Sequence, residues 1–152
     1  PCGNLLSLSK ECRCNDLEIS RYKNRLSDPF LDRMDLYVVM NEVNENDKSN
    51  FNSTQLHTKV LDAFLMQKKR GQKELNGKLC DEEITQYYVL KEDAQDILNK
   101  AINSYSLSFR GINKILKVSR TIADLEASEE IQTQHVAEAI QYRSLDRENW
   151  GS

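Results

Sequence analysis

Glycine and proline are both scarce in this chain of 152 residues, which has five glycines and two prolines. Ordinary proteins average about 12% for the pair. β-Sandwiches and barrels draw heavily on these residues for their turns, so the shortage argues against them and against collagen-like or linker-rich chains. No charge of one sign dominates either. Lys and Arg number 21 against 24 Asp and Glu, and the net charge of −3 gives no global drive toward nucleic acid or an anionic membrane. No run approaches the roughly 18 apolar residues of a membrane span. No basic-then-apolar leader opens the sequence, so a cytoplasmic protein is expected. Cysteine is too sparse and uneven for a secreted disulfide scaffold. Cys2, Cys12 and Cys14 lie in the first fourteen residues, and Cys80 stands alone.

What remains is 39% apolar and 30% charged, a balance that suits amphipathic helices with one wet face. Asn15 or Asp16 can cap a helix through about Leu26. Ser27-Asp28-Pro29 breaks the chain and restarts it, because proline fits the first turn of a helix. The β-branched and aromatic run Leu36–Val43 reads as the one convincing strand. Residues 44–52 are polar and asparagine-rich and read as a linker. Beyond them the pattern is helical. Ser53 is expected to cap a helix to about Arg70, with Leu56, Val60, Leu61, Phe64 and Leu65 on one side and Gly71 ending it. Asp81 is expected to cap a short helix to Tyr88. Another is expected from Glu92 to Ser104, with Ala94, Ile97, Leu98, Ala101 and Ile102 inward. Ser108 is expected to cap a helix to about Ala127, and Thr133 a last one to Arg143. One strand cannot make a sheet. Either Leu36–Val43 pairs weakly within this chain or its partners are missing from it, and the fold expected is mainly α, with a helical bundle over 53–145, a linker over 44–52 and a tail over 146–152.

Gly71 to Leu79 looks at first like a phosphate-binding loop. That loop needs four residues between its glycines, and Ser or Thr after the lysine to hold Mg²⁺. Here five residues separate Gly71 and Gly77, and Leu79 follows Lys78. The stretch reads as a polar loop between helices. His57 and His135 have no acid or nucleophile at motif spacing and read as helix-surface residues. Tyr87, Tyr88 and Tyr142 read as packing rather than base-stacking groups. Lys68, Lys69 and Arg70 end a helix, where the dipole favours cations. Cys80 reads as a helix-boundary or core thiol.

Three segments stand out: Arg21-Tyr-Lys-Asn-Arg-Leu-Ser-Asp-Pro-Phe-Leu-Asp-Arg-Met-Asp-Leu36, then Leu107 to Leu125, then His135 to Arg143. In this order and at these separations they resemble the C-terminal part of the magnesium-chelatase-related AAA+ ATPases of the ComM (YifB) competence-protein family. Pro1-Cys2-Gly3 and Gln67-x-x-Arg70 fit the same pattern. The resemblance implies a fragment of a larger ring-forming ATPase that uses ATP and Mg²⁺, with the phosphate loop before residue 1, a remnant of the α/β ATPase core over 1–43 and a helical lid from about residue 53. DNA processing is the work such relatives suggest, and the missing N-terminal part of the same ATPase is the implied partner. Arg33, in Phe30-Leu-Asp-Arg33, falls where the family has a finger that reaches a neighbouring subunit's nucleotide. Arg110, in Leu107-Ser-Phe-Arg110, falls on the sensor-2 arginine. Arg120 and Asp124, four apart, can pair across one helical turn and are expected to orient the lid helix. Asp28, Phe30 and Phe109 depart from the family pattern without breaking its motifs.

The family also carries two Cys-x-Cys pairs, here Cys12-Arg13-Cys14 and the single Cys2. Zinc suits such thiols, although three make an incomplete set. Two other readings stand beside the ATPase one. The first is a stand-alone helical interaction module with a zinc-stabilised N-terminus. The second is a DNA-binding helical domain using Lys114 and Lys117, which the net charge disfavours.

Overall fold

The computed structural model describes residues 2–5, 7, 9–38, 40, 43 and 45–143. Their regular structure is helical: α1 (Asp16–Lys23), α2 (Asp28–Leu31), α3 (Ser53–Lys69), a 3₁₀ turn (Asn76–Lys78), α4 (Asp81–Tyr87), α5 (Glu92–Tyr105), α6 (Phe109–Leu125) and α7 (Thr133–Gln141). The chain divides into two compact units. One comprises residues 1–48 and 142–152, the other residues 49–141.

In the first unit Asn15 caps α1. Its side chain accepts the Glu18 N–H at 2.9 Å while Glu18 takes the Asn15 N–H at 3.0 Å, so two orphan donors are satisfied reciprocally. Pro29 sits in the first turn of α2. The expected strand Leu36–Val43 is not found among the described residues. Residues 36–38, 40 and 43 lie in no strand, while 39, 41 and 42 fall outside the described set. A strand exists only through a ladder, and the Tyr37 N–H instead donates to the Tyr142 carbonyl at 2.8 Å. The Tyr37 hydroxyl donates to the Leu31 carbonyl at 2.5 Å, and Arg143 Nη1 to the Met34 carbonyl at 2.9 Å. Residues 142 and 143 thus group with the first unit, and the expected tail 146–152 lies outside the described residues.

The second unit is built around α6, which packs against α7, α3, α4 and the 3₁₀ turn, while α5 packs against α7. Its core holds Ala94, Leu98 and Ala101 of α5, Ile115, Ile122 and Ala123 of α6, and Val136 and Ala139 of α7. A two-residue parallel bridge, Leu90 to Ile131, ties the α4–α5 connection to the α6–α7 connection.

Helix α3 departs from expectation in its orientation. Leu56, Val60, Leu61, Phe64 and Leu65 are all exposed, Val60 by 63%, whereas Ala63 and Gln67 are buried. The buried side is the one that leads into Arg70, the residue after the helix, whose ion pair is described below. Asn52, one residue before Ser53, caps α3 through a capping box with Gln55. Gly71 ends the helix as expected. Its φ of +82° lets its own N–H reach the Lys68 carbonyl at 3.0 Å and the Gln72 N–H reach Gln67 at 3.2 Å. Cys80, not Asp81, is the cap residue of α4, and α7 starts at Thr133 itself.

Candidate functional site

Arg33 follows α2 and is exposed, with Nη1 donating to the Pro29 carbonyl at 3.0 Å. That bond holds the guanidinium close to the turn that carries it. Arg110 is exposed in the first turn of α6, where Ser108 Oγ accepts the Gly111 N–H at 3.0 Å. Cap and dipole make that end of the helix favourable to an anion. Arg33 belongs to the first unit and Arg110 to the second. Lys117, on the same side of α6, donates to the Gly77 carbonyl at 3.2 Å, and Lys114 is half-buried.

Arg120 and Asp124 are brought together, as their spacing implies, but inside the protein rather than beside a wet face. Both are 0% exposed, with Arg120 Nε 3.1 Å from Asp124 Oδ1. Arg70 makes a second, bidentate pair with the same carboxylate, at 2.9 and 2.8 Å. Asn76 Nδ2 adds a fourth donor to it at 2.8 Å. Arg120 also donates from Nη1 to the Glu129 carbonyl at 2.8 Å and from Nη2 to the Ser128 carbonyl. Arg70 Nε donates to Gln72 at 2.6 Å. Each nitrogen of both guanidiniums therefore donates within the protein. One carboxylate stands between two cations, and the cluster is a scaffold rather than an anion site. Burial lowers the Arg120 pKa and Asp124 opposes the shift.

The loop that imitates a phosphate-binding loop belongs to this scaffold. Gln72 Nε2 donates to Asn76 Oδ1 at 3.0 Å, Asn76 Nδ2 to Thr121 Oγ1 at 3.2 Å, and the Asn76 N–H to Gln67 Oε1 at 3.2 Å. The buried Tyr88 hydroxyl donates to the Asn76 carbonyl at 3.1 Å, and burial raises its pKa. Sequence reading assigned no role to Gln72 or Asn76. The only available signal was Gln67-x-x-Arg70, whose partners lie 9 and 54 residues further on.

His135 corrects the sequence expectation: it is 0% exposed, not a surface residue. Its Nδ1 accepts the Gln132 N–H at 3.0 Å, so the proton sits on Nε2, which donates to Glu126 Oε2 at 3.0 Å. That bond, followed by one from Gln134, holds the Glu126 carboxyl below its usual range. His57 is exposed as expected.

The Sγ atoms of Cys2, Cys12 and Cys14 lie within 4.8 Å of one another, close enough to bind a metal ion. Hydrogen bonds from the Asn4 and Arg13 backbone and from Cys14 lower the Cys2 thiol to about 6. The Cys14 backbone acts the same way on Cys12, but burial and the neighbouring sulfurs outweigh it and raise that thiol. Cys80 is exposed at the start of α4. No helix among the described residues is long and apolar enough to cross a membrane.

The family model described as magnesium chelatase, subunit ChlI C-terminal, matches residues 50–143, and that described as magnesium chelatase, subunit ChlI, matches residues 1–48. The chain belongs to the magnesium chelatase ChlI-related family. Among curated proteins it is 38% identical over 140 residues to the uncharacterized protein YifB of Salmonella typhimurium. It is 39% identical to the competence protein ComM of Haemophilus influenzae and 36% identical to YifB of Escherichia coli, over the same length. Each match takes in 89% of this chain but only 27–28% of the relative, so the chain spans under a third of their length.

Proposed function

We propose that this chain is the nucleotide-sensing end of an oligomeric, cytoplasmic AAA+ ATPase. Arg33 reaches the nucleotide bound by a neighbouring subunit, and Arg110 reaches the nucleotide of its own subunit from the helical lid. ATP and Mg²⁺ would be held by the phosphate-binding part of the same ATPase. The observation that carries this reading is Arg110. It lies within the segment matched by the family model, in the exposed first turn of α6, and is backed by a lid helix locked through Arg120 and Asp124. A planar, always charged fork suits the spread of phosphate charge in the transition state. The likeness to a protein named for competence supports DNA as the motor's substrate.

The test is steady-state ATP turnover by the whole ATPase containing this segment, with and without DNA. Arg33→Ala is expected to cut turnover by about 10³–10⁵, the worth of an arginine finger in other NTPases. Arg110→Ala should impair it too, with unchanged melting temperature in both variants. If both variants retain full turnover, the reading fails. If turnover falls in the variants but never responds to DNA, the ATPase role stands and the DNA substrate does not.

A further inference from the structure

The three clustered thiols lie in two short segments, residues 2–4 and 12–14, and their sulfurs come within 4.8 Å of one another. Gly3, at φ +84°, holds the left-handed conformation between Cys2 and Asn4. The two segments are linked directly, because the Cys2 N–H donates to Cys14 Sγ at 3.1 Å.

The spacing points to a cation rather than a crosslink. Cys2 Sγ and Cys12 Sγ are 3.6 Å apart. A disulfide requires about 2.0 Å. The edge of a tetrahedron of sulfurs around zinc, with bonds of about 2.3 Å, is about 3.8 Å. Three thiolates this close repel one another, and a bound divalent ion removes the conflict, since a coordinating thiol is deprotonated outright. An all-sulfur donor set selects zinc over the hard cations magnesium and calcium.

We propose that Cys2, Cys12 and Cys14 bind one zinc ion as three thiolates, with the fourth tetrahedral position filled from outside this trio and Cys80 taking no part. The ion ties residues 2–4 to residues 12–14, immediately ahead of the capped start of α1. Binding releases the remaining thiol protons, so affinity rises with pH until all three are ionised. Cys80 serves as the internal control. It stands alone in the second unit, at the cap of α4 beside Glu82 and Glu83.

The experiment is metal analysis of the purified, reduced chain after zinc loading and desalting, followed by titration with Co²⁺. About one zinc per chain is expected to remain. Co²⁺ should give tetrahedral bands with sulfur-to-metal charge transfer, and X-ray absorption of the zinc form should give three sulfurs and one lighter atom. Cys2→Ser, Cys12→Ser and Cys14→Ser should each weaken binding by more than the roughly 10–100-fold lost with outer-shell partners. Cys80→Ser should leave it unchanged. A wild-type chain that retains no zinc and gives no charge-transfer band overturns the proposal, and so does loss of binding in Cys80→Ser. The wild-type measurement depends on no variant folding, and neither result bears on ATP turnover.

Discussion

Asp124 is the residue on which most of the second unit's buried polar structure converges. Two guanidiniums and an amide donate to it, and none of these groups has a charged alternative nearby among the bonds described. Truncating one partner of a buried ion pair leaves an uncompensated charge, which typically costs about 3–5 kcal/mol. Asp124→Ala is therefore expected to lose that much in urea unfolding, and a loss under about 1 kcal/mol, the range of an exposed pair, would contradict the buried assignment. Glu126 makes a smaller, pH-dependent contribution. Its folded pKa is depressed, chiefly by the bond from His135, so its stabilisation is present above the unfolded value of about 4.3 and is lost as pH falls through the folded value. Its side chain is 48% exposed, so screening keeps the effect small. Between about pH 5 and 3 the melting temperature of Glu126→Gln should fall less steeply than that of the wild type. Parallel profiles would remove Glu126 from the acid limb. At this scale the sequence disclosed what a helix period can disclose. The four-residue spacing of Arg120 and Asp124 was legible, whereas His135 was not. Its partner lies nine residues back across a turn, and no period reports such a contact.

Among the elements, α3 shows how a correct helix can be given the wrong face. Its apolar stripe, Leu56, Val60 and Phe64, is regular enough to predict an inward side, yet that side is exposed. The helix instead turns inward the side that carries Ala63 and Gln67, from which Arg70 reaches Asp124 of α6. Nothing local in the sequence states that preference, since Arg70 and Asp124 are 54 residues apart. The helix starts and stops were more readable, being set by neighbouring residues. Asn15, Ser108 and Gly71 act as their chemistry suggests. The start of α3 was misplaced by one position, since Asn52 and Ser53 are both good caps and only Asn52 has Gln three residues on to complete the box. Asn52→Ala should thus cost about 1 kcal/mol. Ser53→Ala should stay within about 0.5 kcal/mol. Thermal melts of the two variants check the cap, and the opposite order would put it back on Ser53.

For the whole molecule, the membership of a magnesium chelatase family and the helical second unit were both readable from three separated motifs, because those motifs carry local geometry: a proline-started turn, a capped helix and a four-residue ion pair. The nucleotide roles of Arg33 and Arg110 are a different kind of statement. As proposed, they would have groups exposed on this chain act on a ligand held by another part of the ATPase, and in the case of Arg33 by another subunit. The most direct measurement is therefore ATP turnover by mixed assemblies of the whole ATPase. Subunits carrying Arg33→Ala are combined with subunits whose own nucleotide site has been disabled. Each should be nearly inactive alone, and mixing should restore turnover, because the second kind still lends its Arg33 to the intact site of the first. A mixture no more active than its components, or Arg33→Ala subunits that turn over at the wild-type rate by themselves, would contradict the account.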